Sequence, residues 1–101
     1  MNVNTNYSPA FSAQPTNRIL QHRFKSILHD GSTAHVRINH SQNKVISMEC
    51  YTFNKDGYPI GGKAEGRNPY MKLVEITNFL KEIQQNTSDN IFQKFSEVLL
   101  K

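Results

Sequence analysis

The residues able to do chemistry are few: one cysteine, four histidines and eight carboxylates in 101 residues. The predicted strand register places His35 opposite Glu49, and Glu49 opposite Lys63. If the stretch before Gly31 were a strand, His29 would join that row. A His, His, Glu row has ligand types suited to a first-row metal. It supplies too few ligands for a closed zinc site, and no Cys-x-x-Cys or helical His-x-x-x-His supports it. Opposite charges across strands are ordinary sheet stabilisers, so the row reads as a solvated polar row. Cys50 falls on an apolar face, whereas a reactive thiolate wants exposure and positive neighbours, so it reads as a structural thiol. No nucleophile elbow, Walker loop or paired acids of defined spacing appears. Gly61-Gly62-Lys63-Ala64-Glu65-Gly66 is glycine-rich, but it lies in and after a strand and reads as a close backbone approach. No catalytic residue, metal ligand or cofactor site is assigned, and the chain reads as a non-enzyme.

Binding residues stand out more. Arg37, Tyr51, Phe53 and Lys63 share the outward face of the predicted sheet, with Lys44 near its edge. Aromatics interleaved with basic groups on an open sheet can stack the bases of single strands. An exposed Val45, Tyr51, Phe53 patch equally suits a protein surface, or a second subunit that would cover it. The sequence reading favours an interaction module with a protein partner; nucleic-acid binding through this face is the alternative.

The elements that must position these groups centre on residues 44–66. Lys55-Asp56-Gly57 fits a three-residue hairpin loop, with Gly57 at the left-handed position. That loop sets Asn54 opposite Tyr58, Thr52 opposite Ile60, Cys50 opposite Gly62 and Met48 opposite Ala64. Alternation then puts Ile46, Met48, Cys50, Thr52, Ile60 and Ala64 on the core face. Val45, Ser47, Glu49, Tyr51, Phe53, Lys63 and Glu65 face outward. Residues 33–39 alternate too: Ala34, Val36 and Ile38 share one face. A Ser41-Gln42-Asn43 loop makes their apolar set coincide with that of the hairpin.

Residues 17–31 fit two patterns. Leu20, Phe24, Ile27 and Leu28 make a helical stripe; as a strand, Leu20, His22, Phe24, Ser26 and Leu28 share a face. Periodicity favours a helix over 17–29, while the regular spacing of turn signals favours a fourth strand. Further on, Asn68-Pro69 reads as the N-cap and first residue of a helix carrying Leu73, Ile76, Leu80 and Ile83. Thr87-Ser88-Asp89 opens a shorter helix with Ile91, Phe92, Phe95, Val98 and Leu99 apolar and Lys101 at its end.

With 17–29 helical, the order is α-β-β-β-α. That order, with Gly62-x-x-x-Gly66-Arg67-Asn68 before a helix, resembles the double-stranded-RNA-binding domain over about half of the chain. The likeness stops at the helix start, where that family has a basic Lys-Lys-x-Ala-Lys cluster and this chain has Pro69-Tyr70-Met71-Lys72-Leu73. Its paired alanines correspond to Ile76-Thr77 or are absent. Membership is not assigned.

The expected fold is α+β: an antiparallel meander of three strands, or four, packed on two C-terminal helices. One such domain, residues 17–101, follows a tail at 1–16 with no charged side chain. A net charge of +4 permits an anionic partner without establishing one. A single cysteine excludes an intramolecular disulfide and suits a reducing compartment. No basic stretch followed by an apolar run opens the chain, so the expectation is a cytoplasmic protein that does not enter a membrane.

Overall fold

The structure, a computed structural model, describes residues 18–99. Four strands, β1 (Leu20–Ile27), β2 (Thr33–Ser41), β3 (Lys44–Phe53) and β4 (Pro59–Gly66), are followed by helices α1 (Leu73–Gln84) and α2 (Ile91–Leu99). The strands form one antiparallel sheet in the order of the chain. The expected α+β meander on two C-terminal helices is what forms. The tail at 1–16 and Lys101 lie outside the described residues.

The stretch that periodicity favours as a helix is β1. Leu20, Phe24 and Leu28 satisfy a helical and an alternating pattern equally; Ile27 separates the two, and it is exposed. The strand form gives β1 a full ladder with β2, from Leu20 opposite His40 to Ile27 opposite Thr33. A tight turn allows this. Gly31 is left-handed, Leu28 N–H donates to Ser32 O at 2.8 Å, and Ser32 N–H donates to Asp30 Oδ1 at 2.9 Å. With a strand in first place, the α-β-β-β-α resemblance no longer applies.

Both remaining turns form, and both carry a bulge that the sequence pattern hides. Between β2 and β3 the loop is Gln42-Asn43, both at positive φ, which is a two-residue hairpin turn rather than the expected three-residue loop. A shift beside Asn39 and His40 leaves Ile46 as the extra residue, so Ile38 faces Met48 and Val36 faces Cys50. The ladder differs from the expected one by two residues. Even shifts keep side chains on their face, so the core face of β2 and β3 survives. Val45 alone changes sides and is buried.

The β3–β4 loop forms around left-handed Gly57, with Asn54 N–H donating to Tyr58 O at 2.8 Å. Asn54 Oδ1 also accepts from Asp56 and Tyr58 N–H. One pair later, Phe53 meets Pro59 but Thr52 meets Gly61, so Ile60 is the extra residue. This odd shift inverts β4 beyond the bulge. Lys63 and Glu65 lie opposite Cys50 and Met48 on the helix side, and Ala64 lies opposite Glu49 on the outer side. The expected outward Lys63 and Glu65 and inward Ile60 and Ala64 are thereby corrected.

The helices cover one face. Phe24, Val36, Ile38, Met48, Phe79, Leu80, Ile83 and Ile91 belong to a single core. α1 begins at Leu73, later than Asn68-Pro69 predicts. Arg67 and Met71 still donate to the carbonyls of Ile46 and Val45, so the chain between them runs on beside β3. Leu73, expected in the apolar stripe, is 78% exposed. α2 is pinned to β1 by a polar cluster. Buried Ser26 donates to Asp89 Oδ2 at 2.6 Å and lies 3.0 Å from Thr87 Oγ1, which donates to Ile27 O at 2.6 Å. Asn90 caps α2 through Gln93 N–H.

Candidate functional site

The face of the sheet away from the helices is uncovered by any described element. Strand alternation puts Gln21, Arg23, Lys25 and Ile27 of β1 on it, then Thr33, His35, Arg37 and Asn39 of β2. Ser47, Glu49, Tyr51 and Phe53 of β3 follow, and β4 adds Pro59, opposite Phe53, then Gly62, Ala64 and Gly66. Three of the five residues singled out for binding, Arg37, Tyr51 and Phe53, meet here. Lys44 sits at the sheet end with its ammonium 5.2 Å from the centre of the Tyr70 ring. Lys63 is on the other face, paired with Glu82 and 4.2 Å from the centre of the Phe79 ring.

The group is tightly built. Arg37 lies opposite Glu49, and its Nε and Nη2 donate to Glu49 Oε1 at 3.0 and 2.5 Å. Tyr51 donates its hydroxyl to the same oxygen at 2.8 Å. The Tyr51 hydroxyl and the Arg37 guanidinium hold the Glu49 carboxyl below its ordinary pKa. Arg37 also stands 5.8 Å from the centre of the Tyr51 ring. His35 meets Phe53 edge to face, with ring centres 4.7 Å apart. Tyr51 leans over Gly62, where an added Cβ would come within 3.0 Å of the ring. Between these groups lies a depression of about 560 Å³ lined by Arg23, Lys25, His35, Arg37, Tyr51 and Phe53.

Arg23 and Lys25 were missed by the sequence reading, because a helix over 17–29 scatters them. As strand residues, they sit directly across from Arg37 and His35. Arg23 and Arg37 are like charges placed opposite each other, which costs a sheet stability. Glu49 is the only carboxylate among the outward strand positions, and Arg37 occupies it. Neither Arg23 nor Lys25 forms an ion pair among the described residues. Arg23 reaches only Gln21 Oε1, at 3.0 Å.

The His35, Glu49, His29 row is not assembled. His35 faces Tyr51, Glu49 faces Arg37, and His29 has left the strand, 3.3 Å from Ser88 Oγ. Among the described residues, no three His, Cys, Asp or Glu side chains group as metal ligands would. Cys50 is buried, and burial pushes its thiol above the ordinary pKa. Tertiary structure makes one pair that the sequence does not show. His22 and His40 stack on the core face with ring centres 4.9 Å apart. His40 is 4% exposed and, among the described residues, both of its ring nitrogens lack a hydrogen-bond partner. Burial, and then His22, lower its pKa.

No protein-family model matches this sequence, and neither a curated protein nor a solved structure is significantly similar to it.

Proposed function

We propose that the uncovered face of the sheet binds single-stranded nucleic acid. The observation that carries this reading is the like-charge apposition of Arg23 and Arg37, with Lys25 next along the same face, beside an aromatic pair on an open face. Folding gains nothing from that apposition; an anion laid across it neutralises the cost. Phosphates then follow the cations of β1 and β2. Bases stack on Tyr51 and Phe53 of β3, about 10 Å away across two strand spacings. Glu49 turns the phosphate chain away from the aromatic side. Tyr51 is 40% exposed, so its ring offers a surface for stacking.

The test is fluorescence anisotropy with labelled oligothymidine and oligouridine of about 12 nucleotides at low salt. Binding is expected, and Tyr51→Ala weakens it about tenfold or more while leaving the melting temperature nearly unchanged. Absence of binding at low salt overturns the reading.

A protein partner is the second reading, and one observation favours it. Ile27, 68% exposed, ends the same face, and Tyr58 and Ile60 are exposed beside the β3–β4 loop. A pull-down whose yield is insensitive to salt supports it. In either case we assign the protein no catalysis and place it in the cytoplasm, where a lone buried thiol stays reduced. No helix among the described residues is long and apolar enough to cross a membrane.

A further inference from the structure

The two edges of the sheet differ. Along β1, Lys94 Nζ donates to the Lys25 carbonyl at 2.7 Å, and Leu28 bridges to Thr87. Along β4, no described element pairs with the free side, and Ile60, Gly61, Gly62, Ala64 and Gly66 are exposed. An uncovered edge offers the N–H and C=O groups of alternate residues to another strand.

We propose that β4 pairs antiparallel with β4 of a second copy of this chain, about a two-fold axis at Ala64, setting Lys63 opposite Glu65 of the partner subunit. The charges select this register. Lys63 and Glu65 lie on the same face, separated by one residue. An axis at Lys63 would oppose two lysines, and an axis at Glu65 would oppose two glutamates. Of these three axes only the one at Ala64 opposes unlike charges, and two-fold symmetry makes the contact twice; an axis at Gly66 would set Glu65 opposite Arg67, whose guanidinium Glu75 already holds. Edge charges ordinarily repel a stray strand, and here they repel the registers on either side of this one. Lys63 already has Glu82, whereas Glu65 forms no ion pair among the described residues. On the outer face the seam holds only Gly62, Ala64 and Gly66, so no bulky side chain obstructs it. The product is a continuous sheet of twice the width, with a Tyr51 ring on each side of the seam.

The experiment is sedimentation velocity on the full chain over a wide concentration range. Wild type is expected to dimerise, and Glu65→Lys to weaken the dimer at least about tenfold by opposing four lysines across the seam. Lys63→Glu alone weakens it likewise, and mixing the two variant chains restores a heterodimer, because each then supplies the charge the other needs. Circular dichroism checks each fold; should either reversal unfold, Glu65→Gln replaces it and weakens the dimer to a smaller extent. A wild type that stays monomeric at the highest concentration overturns the proposal. So does a dimer indifferent to the substitution at Glu65, or a mixture that fails to reassociate.

Discussion

Replacing Arg23 and Lys25 together by threonine separates a binding role for these cations from a structural one. Each cation that neutralises a phosphate of a single strand contributes about 0.7 to the slope of log affinity against log salt. Arg37 is held by Glu49, so the two free cations set the slope. They give about −1.4, and raising salt from about 50 to 200 mM then costs the wild type about sevenfold in affinity. In Arg23→Thr/Lys25→Thr the slope falls close to zero and that cost nearly disappears. Affinity at low salt falls as well. The fold should not suffer. The substitutions relieve the Arg23–Arg37 like-charge apposition and place β-branched residues on a strand. The melting temperature therefore stays level or rises by a few degrees. Anisotropy titrations at four salt concentrations and a thermal melt read both quantities. An unchanged salt slope refutes the assignment of phosphates to β1. A variant that melts lower and binds less makes the two residues structural.

Acid should loosen the domain through His40. Its folded pKa lies below the ordinary 6.5, so the unfolded chain binds the extra proton first. Stability is complete above about pH 6.5 and decreases as pH falls from there through the lowered folded value. Urea melts from pH 7.5 to 5 should show the loss, and His40→Leu should flatten it; a flat wild-type profile contradicts the assignment. Ser26→Ala removes a buried hydroxyl that joins β1 to the α2 cluster. It should cost about 1–2 kcal/mol, a loss that a denaturant melt resolves easily. Gly62→Ala places a Cβ 3.0 Å from Tyr51 Cδ1 and 3.1 Å from the Cys50 carbonyl. The ring must swing away from β4, so oligonucleotide affinity should drop about as far as in Tyr51→Ala, with the far-ultraviolet spectrum unchanged.

The alternation of Ala34, Val36 and Ile38, and of Met48, Cys50 and Thr52, determined by itself which face of β2 and β3 meets the core. It could do so because strand side chains repeat every two residues, and a register error of two leaves each on its face. Turn chemistry was equally legible at Gly57, where a left-handed residue is needed and glycine supplies it. The sequence likewise placed Arg37, Tyr51 and Phe53 on one outer surface.

Tertiary structure decided the rest. A bulge spends one residue without a partner, and nothing local marks it. The bulge at Ile60 moved Lys63 from the outer face to the helix side, and the one at Ile46 moved Val45 into the core. Leu20, Phe24 and Leu28 fit either period and Ile27 fits only the helical one, so local pattern favoured the wrong element. Pairing with β2, and the Ser26, Thr87 and Asp89 contacts from residues more than 60 positions away, made residues 20–27 a strand. That long-range choice brought Arg23 and Lys25 to the face where Tyr51 and Phe53 already stood, and it stacked His22 on His40. Local preferences are worth tenths of a kcal/mol per residue, and a paired, buried strand outweighs them.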